Sequence, residues 1–228
     1  MDDKGGIFIK NNVVVVGSGG HAKVIIDIIE KQDSFSIIGL IDGFRKPGTE
    51  IYGYKVLGGE AILATADYKD ITHGIVAIGD NWVRSRVATT IKQLKPDCSF
   101  IKAIHPSANL ARDVIIGEGT AVMAGAIINS GTVIGSHCII NTNASVEHDN
   151  TLGSFVAIAP GAVTGGNVTI GDFSTVGLGA KVIHKIAIGT HSLIGAGAVV
   201  IEDIGNQAVW YGIPARLARK RAVDESYL

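Results

Sequence analysis

Residues 116–140 read IGEGTAVMAGAIINSGTVIGSHCII, and every sixth residue of that stretch is aliphatic: Ile116, Val122, Ile128, Ile134, Ile140. The series continues through Val146, Leu152, Ile158, Thr164, Ile170, Val176, Val182, Ile188, Ile194 and Val200. Only Thr164 departs from it, and threonine is still β-branched. Two residues before each member lies a mostly small side chain, such as Ala126, Cys138, Ala144, Ala162, Ser174 or Ala198. Glycine often follows, as at Gly117, Gly135, Gly153, Gly171 and Gly189. A period of six is neither the 3.6 of a helix nor the 2 of a plain strand. It is the hexapeptide repeat of a parallel β-helix, in which each hexad is a short strand plus a corner and three hexads make one triangular coil. Coils then stack about 4.8 Å apart, the spacing between hydrogen-bonded strands. The run predicts about five coils, with the aliphatic series inside.

Composition sets the outer bounds. The chain has 228 residues, of which 46% are hydrophobic and 18% charged, with net charge −1. That is a foldable composition for one large or two small domains. There is no basic block of the kind that binds phosphate backbones, which argues against nucleic acid as a partner. No apolar run approaches the roughly 18 residues that span a bilayer, so no membrane association is expected. The opening MDDKGGIFIKNN is acidic and lacks the apolar core of a signal peptide, which points to the cytoplasm. Cys98 and Cys138 are too few for a disulfide framework and are read as buried thiols.

The first hundred residues follow another grammar. VVVVGSGGHAKVIIDIIEK is a buried strand, a glycine loop and a helix. SIIGLID and GIVAIGDN are further strands, WVRSRVATTIKQL is a helix and CSFIKAI a short last strand. Strand–helix alternation predicts a small Rossmann-like parallel sheet. The expected organisation is an α/β domain over residues 1–105, a β-helix over 106–205 and an exit segment over 206–228. Residues 105–114, HPSANLARDV, read as a linker, and the end, GIPARLARKRAVDESYL, as an exit turn with a short basic helix or tail. The charges Arg216, Arg219, Lys220 and Arg221 are those of a solvated tail.

Gly17-Ser18-Gly19-Gly20-His21-Ala22 matches G-x-G-x-x-A between a strand and a helix. Backbone N–H groups and the helix N-terminus there suit an anion. Asp42 stands where a Rossmann acid meets a ribose hydroxyl. A dinucleotide needs two mononucleotide halves, which this domain is too short to hold. A mononucleotide with a pendant sugar fits better, with His21 near its phosphate or sugar. Asp80 and Asn81 close a strand at the sheet edge where ligands bind. Arg84 reads as a solvated charge on its helix.

Inside the repeat lies INTNASVEHD, where His148 adjoins Asp149 two residues past the inward Val146. Neighbours on a strand face opposite ways, so the two can pair only at a corner. An imidazole oriented by a carboxylate is the arrangement of a general base, and Glu147 is a rival partner. Metal chemistry fits less well. His148 and His184 are 36 residues apart, two coils or roughly 9.6 Å. Zinc ligands lie about 2.0–2.1 Å from the ion, so no metal is expected.

Taken together, GSGGHAKV, AIGDN, AIHPSA, INTNASVEHD, LGSFVAIAPGA and GIPARL resemble the bacterial nucleotide-sugar acyltransferases of the NeuD/PglD type, across residues 12–218. The resemblance implies a left-handed β-helix that trimerises, acetyl-CoA in the groove between neighbouring β-helices, and a nucleotide-linked amino sugar on the N-terminal domain. It places the catalytic histidine on His148 and its acidic partner on Asp149. It places the sugar-nucleotide contacts on Gly19, Gly20, His21, Asp42 and Gly79, to which the strand-end Asn81 is added. It places the acetyl-CoA contacts on Ala157, Gly166, Leu178 and Ala196, with Asn141 matching an asparagine shortly before the catalytic histidine. Some relatives carry histidine where this chain has Ala157, so a coenzyme contact there must be through backbone. Gly43 follows Asp42 where some relatives have a second acid, which leaves the base open among uridine, guanosine and thymidine.

The expected activity is transfer of acetyl from acetyl-CoA to the amine of a nucleotide-linked 4-amino-6-deoxy sugar. The alternatives are sugar O-acetylation on the same scaffold, a non-catalytic β-helix, and an NAD-dependent enzyme built on the glycine loop.

Overall fold

The computed structural model describes residues 10–226. The first nine residues of the acidic opening lie outside the described residues. The N-terminal domain runs β1 (Asn11–Val16), α1 (Gly20–Gln32), β2 (Phe35–Ile41), β3 (Glu50–Ile51), β4 (Tyr54–Gly58), β5 (His73–Val76), α2 (Asn81–Leu94) and β6 (Ser99–Phe100). The sheet order is β3-β4-β2-β1-β5-β6. All pairings are parallel except β3 with β4. β1 is central, and Val13, Val14, Val15 and Val16 are buried on both of its faces, which is why it reads as an unbroken apolar run. The strand expected to run on to Asn81 stops at Val76. Asp80 is instead the N-cap of α2, accepting from Val83 N at 2.9 Å, and Asn81 is the first helical residue.

The rest of the chain winds into the left-handed β-helix. Its two-residue strands form three parallel faces. The first face holds Ala103–Ile104, Ala121–Val122, Ile139–Ile140, Ala157–Ile158, Thr175–Val176 and Leu193–Ile194. The second runs from Asn109–Leu110 to Val199–Val200, and the third from Ile115–Ile116 to Ala187–Ile188. Each strand pairs with the one 18 residues on, as Ile128 does with Val146, so one coil is three hexads. The predicted inward series is the core. Val122, Ile128, Ile140, Val146, Ile158, Val176, Ile194 and Val200 have no exposed surface. Thr164 is equally buried, and its Oγ1 has no hydrogen-bond partner.

Two segments differ from the sequence expectation. Residues 105–114 are not a linker. Asn109–Leu110 pairs with Ile127–Ile128 and Ala103–Ile104 with Ala121–Val122, so the solenoid begins before residue 106. Polar outward residues hid the hexad pattern there, although Ile104 and Leu110 are in phase with it. The C-terminal basic segment is not a helix. Ala208–Tyr211 adds to the first face beside Leu193–Ile194, and Arg216–Lys220 pairs back on it antiparallel. The last coil of a solenoid exposes unpaired backbone groups, and pairing them outweighs the helix propensity of Ala, Leu and Arg.

Candidate active site

The glycine loop leaves β1 at Gly17. Its φ is +109°, and a Cβ there would come 2.9 Å from the Ala77 carbonyl oxygen. Glycine is required to pass the two strand ends so closely. Ser18 Oγ donates to Asp42 Oδ2 at 2.5 Å, and Phe44 N donates to Asp42 Oδ1 at 2.8 Å. Asp42 is therefore held rigidly at the end of β2, facing a cavity of about 350 Å³ lined by Gly17, Ser18, Gly19, Asp42, Gly43 and Glu60. A larger cavity of about 580 Å³ lies between the start of α1 and the corner joining the first and second faces. His21 and Gly79 line both, so the two spaces meet at that wall. Burial, and then the Arg84 charge, push the His21 imidazole down to about 4, which keeps it neutral at physiological pH.

The larger cavity gathers Gly20, Asn141, Ala157, Leu178 and Ala196. It also takes Tyr211, whose ring lies against Gly195. Tyr211 is not marked in the sequence, because its strand, Ala208–Tyr211, falls in the exit segment expected over 206–228. The one hint was its place directly before GIPARL.

His148 and Asp149 occupy a different edge, the corner between the second and third faces. Asp149 has φ +57°, a left-handed corner conformation. That turn brings its Oδ2 to 2.7 Å from His148 Nδ1, and both side chains are about half exposed. Glu147 is engaged elsewhere, accepting from Asn129 Nδ2 at 2.9 Å. Gly166, one coil on, lies under the imidazole, and a Cβ there would come 2.5 Å from His148 Nε2. Gly166 N donates to His184 Nδ1 at 2.8 Å, so the corner is braced from the next coil as well. The Asp149–His148 contact leaves Nε2 as the nitrogen directed away from the carboxylate, the arrangement of a base oriented by an acid.

The predicted residues thus fall into two groups within one chain. Gly19, Gly20, His21, Asp42 and Gly79, together with Asn141, Ala157, Leu178 and Ala196, border the two adjoining cavities. His148, Asp149 and Gly166 lie at another edge of the prism. Asn81 belongs to neither. Its Nδ2 donates to Thr175 Oγ1 at 3.0 Å and its Oδ1 accepts from Arg84 Nη2 at 2.8 Å, so its side chain is spent in the joint between domains. Arg84 is not solvated but buried in that same joint. Among the described residues, no cluster of three His, Cys, Asp or Glu is placed to hold a metal, and no helix is long and apolar enough to cross a membrane.

The PglD N-terminal domain family matches residues 12–91. Among curated relatives, UDP-N-acetylbacillosamine N-acetyltransferase of Bacillus subtilis is 38% identical over 122 residues, which are 50% of this chain and 51% of that protein. The match therefore spans about half the length of that relative. Among solved structures, a histidine-to-asparagine mutant of perosamine N-acetyltransferase from Caulobacter crescentus, in complex with CoA and GDP-perosamine, superposes with a TM-score of 0.87 at 34% identity. It covers 92% of this chain and 98% of that one. The acetyltransferase domain of PglB from Neisseria gonorrhoeae superposes with a TM-score of 0.85 at 32% identity, covering 92% and 100%. With a glycine-loop domain docked on a hexapeptide solenoid, and with full-length likeness at this level of identity, the chain belongs to the NeuD/PglD-type family of nucleotide-sugar acyltransferases.

Proposed function

We propose that the protein is a cytoplasmic N-acetyltransferase that moves acetyl from acetyl-CoA to the amine of a nucleotide-linked 4-amino-6-deoxy sugar. The observation that carries this is the half-exposed His148–Asp149 pair seated over Gly166. The glycine-loop cavity takes the nucleotide through backbone N–H groups and Asp42, and the sugar extends past His21 and Gly79 toward the solenoid.

His148 and the larger cavity lie on different edges of one prism, so the reaction centre is built where two chains meet. The assembly proposed for it is a homotrimer. Each β-helix presents its cavity edge to the His148 edge of its neighbour, and acetyl-CoA lies in the groove between them. The sugar amine attacks the thioester carbonyl carbon, forming the C–N bond, and His148 Nε2 takes the amine proton. Asp149 stabilises the resulting imidazolium. The tetrahedral intermediate then expels the coenzyme thiolate, which recovers the proton from the imidazolium. Holding amine and thioester together supplies much of the acceleration, on the order of 7–11 kcal/mol at best.

The test is thiol release from acetyl-CoA with UDP-, GDP- and dTDP-linked 4-amino-6-deoxy sugars, each beside its 4-hydroxy counterpart. Turnover confined to an amino sugar is expected. Turnover of only the hydroxy sugars would make the enzyme an O-acetyltransferase, and turnover of none would remove nucleotide sugars as acceptors.

A further inference from the structure

The two domains meet through surfaces of opposite character. α1 packs on the first face at Ala103–Ile104, and its Ile25, Ile26 and Ile29 share one buried apolar cluster with the outward side chains Ala121, Ile139 and Ala157 of that face. Apolar contact of this kind is non-directional, so by itself it holds the domains together without fixing their register. Beside it lies a polar cluster centred on Arg84, which is 1% exposed. Arg84 Nη1 donates to the carbonyls of Ile78 at 2.9 Å and Gly79 at 2.6 Å. Nε donates to the His137 carbonyl at 2.9 Å, and Nη2 to Asn81 Oδ1 at 2.8 Å and the Phe155 carbonyl at 3.3 Å. Asn81 extends the cluster to the Phe173 carbonyl at 3.3 Å and to Thr175 Oγ1 at 3.0 Å. His137, Phe155 and Phe173 are equivalent corner positions of three successive coils, all with φ near +60°. The cluster therefore grips three consecutive coils from one helix end. Hydrogen bonds weaken steeply with angle, and a planar guanidinium fork tolerates little displacement, so this contact is directional where the apolar layer is not.

The loop carbonyls it holds have a functional address. Gly79 lines both cavities, at the wall they share. We propose that Arg84, extended by Asn81, is a latch that sets the register between the nucleotide-binding domain and the solenoid, and so places the sugar amine at the acyl-transfer groove. Arg84 is thus a positioning residue for the reaction. This rests on the acyltransferase reading above.

The test uses the full chain with Arg84→Lys and Arg84→Met, and with Asn81→Asp as a milder variant that keeps an acceptor for Arg84 but loses the donor to the coils. Four quantities are read: thermal midpoint, acetyl-CoA affinity and stoichiometry by calorimetry, kcat and KM for the amino sugar, and hydrogen exchange over residues 77–81. The expected result for Arg84→Lys is at least a tenfold loss of kcat/KM for the amino sugar. Acetyl-CoA affinity should stay within twofold, with full stoichiometry and faster exchange at 77–81. Asn81→Asp should show a smaller loss of the same kind. A loss of activity that merely follows the acetyl-CoA stoichiometry would reduce Arg84 to a folding role. Wild-type turnover despite faster exchange would overturn positioning. Unchanged exchange would overturn the latch itself, and that reading stands even if no amino sugar proves to be a substrate.

Discussion

Two of the solenoid's edges hold histidine in opposite ways. At the corner between the third and first faces, the imidazole occupies the left-handed position itself. His137 stacks on Phe155 with ring centroids 5.0 Å apart, Phe155 on Phe173 at 5.0 Å, and Phe173 on His191 at 4.7 Å, with Phe100 edge-on to His137. His137 is buried, and its Nδ1 has no hydrogen-bond partner. At the corner between the second and third faces, the left-handed position is Asp149 and the imidazole precedes it, half exposed and hydrogen-bonded. A shift of one position within the corner separates a packing ring from the half-exposed ring proposed as the base. Where a histidine sits in the hexad matters more than its being in the repeat.

The largest effect should come from removing the ring proposed as the base. General-base catalysis contributes about 10²–10⁴-fold. His148→Ala should therefore lower kcat by two or more orders of magnitude while acetyl-CoA binding, measured by calorimetry, persists. Mixed trimers sharpen the point. In the proposed trimer, chains carrying His148→Ala, co-assembled with chains carrying Asp42→Ala, should recover part of the wild-type rate, because some seams then pair an intact cavity with an intact base. Recovery of nothing above the separate variants would place each base with its own chain's cavity.

Next in size is the seat of that ring. Gly166→Ala would put a Cβ 2.5 Å from His148 Nε2, so the imidazole must move. Displacement of about 1 Å can cost on the order of 10²-fold. A fall in kcat of about ten- to hundredfold is expected, with the fold retained by circular dichroism. An unchanged kcat would mean that the ring does not work from this rotamer.

The packing edge predicts stability rather than rate. Burial, then the charges of Arg84 and Lys92, push His137 down to about 4 in the folded chain, against 6.5 when exposed. Between those values the unfolded chain binds the proton and the folded chain does not. Stability therefore falls as pH drops from about 6.5 to about 4. At roughly 1.36 kcal/mol per pH unit, the loss from this group is at most about 3 kcal/mol. His137→Phe keeps a ring in the stack and removes the proton, so its unfolding midpoint should fall less steeply across that window. His21, pushed down to about 4 by burial, contributes a second loss of the same sign, so the slope should shrink but not vanish.

How much of this was legible in the sequence depends on the range of the interaction. The hexad series could be read because inward residues repeat at a fixed interval, and the 18-residue pairing follows from three hexads per coil. The His148–Asp149 pair could be read because its partners are neighbours in sequence. The latch could not. Arg84 on an exposed-looking helix gives no local sign that its helix end is pressed onto three coils some 50 to 90 residues away. The aromatic stack left a trace, since residues 137, 155, 173 and 191 stand 18 apart, but the trace shows only once the coil length is known. The terminal strand was hidden by its charge, because what decides its conformation is the open backbone of the last coil.

The smallest expected effect tests whether the interior and the working edge are separable. Thr164 is the one polar member of the inward series, fully buried, with its hydroxyl lacking a partner. An unsatisfied buried hydroxyl costs about 1–3 kcal/mol in protein mutational data. Thr164→Val keeps the branched shape and removes that cost, so it should stabilise the fold by about 1 kcal/mol in denaturant titration. Thr164 also begins the turn that delivers Gly166 beneath His148, two residues on. If the interior only supports the solenoid, kcat in the variant will equal that of the wild type. A more stable variant with reduced kcat would mean that the hydroxyl is retained to keep the corner under the imidazole adjustable, and that the division between packing edge and working edge does not extend into the core.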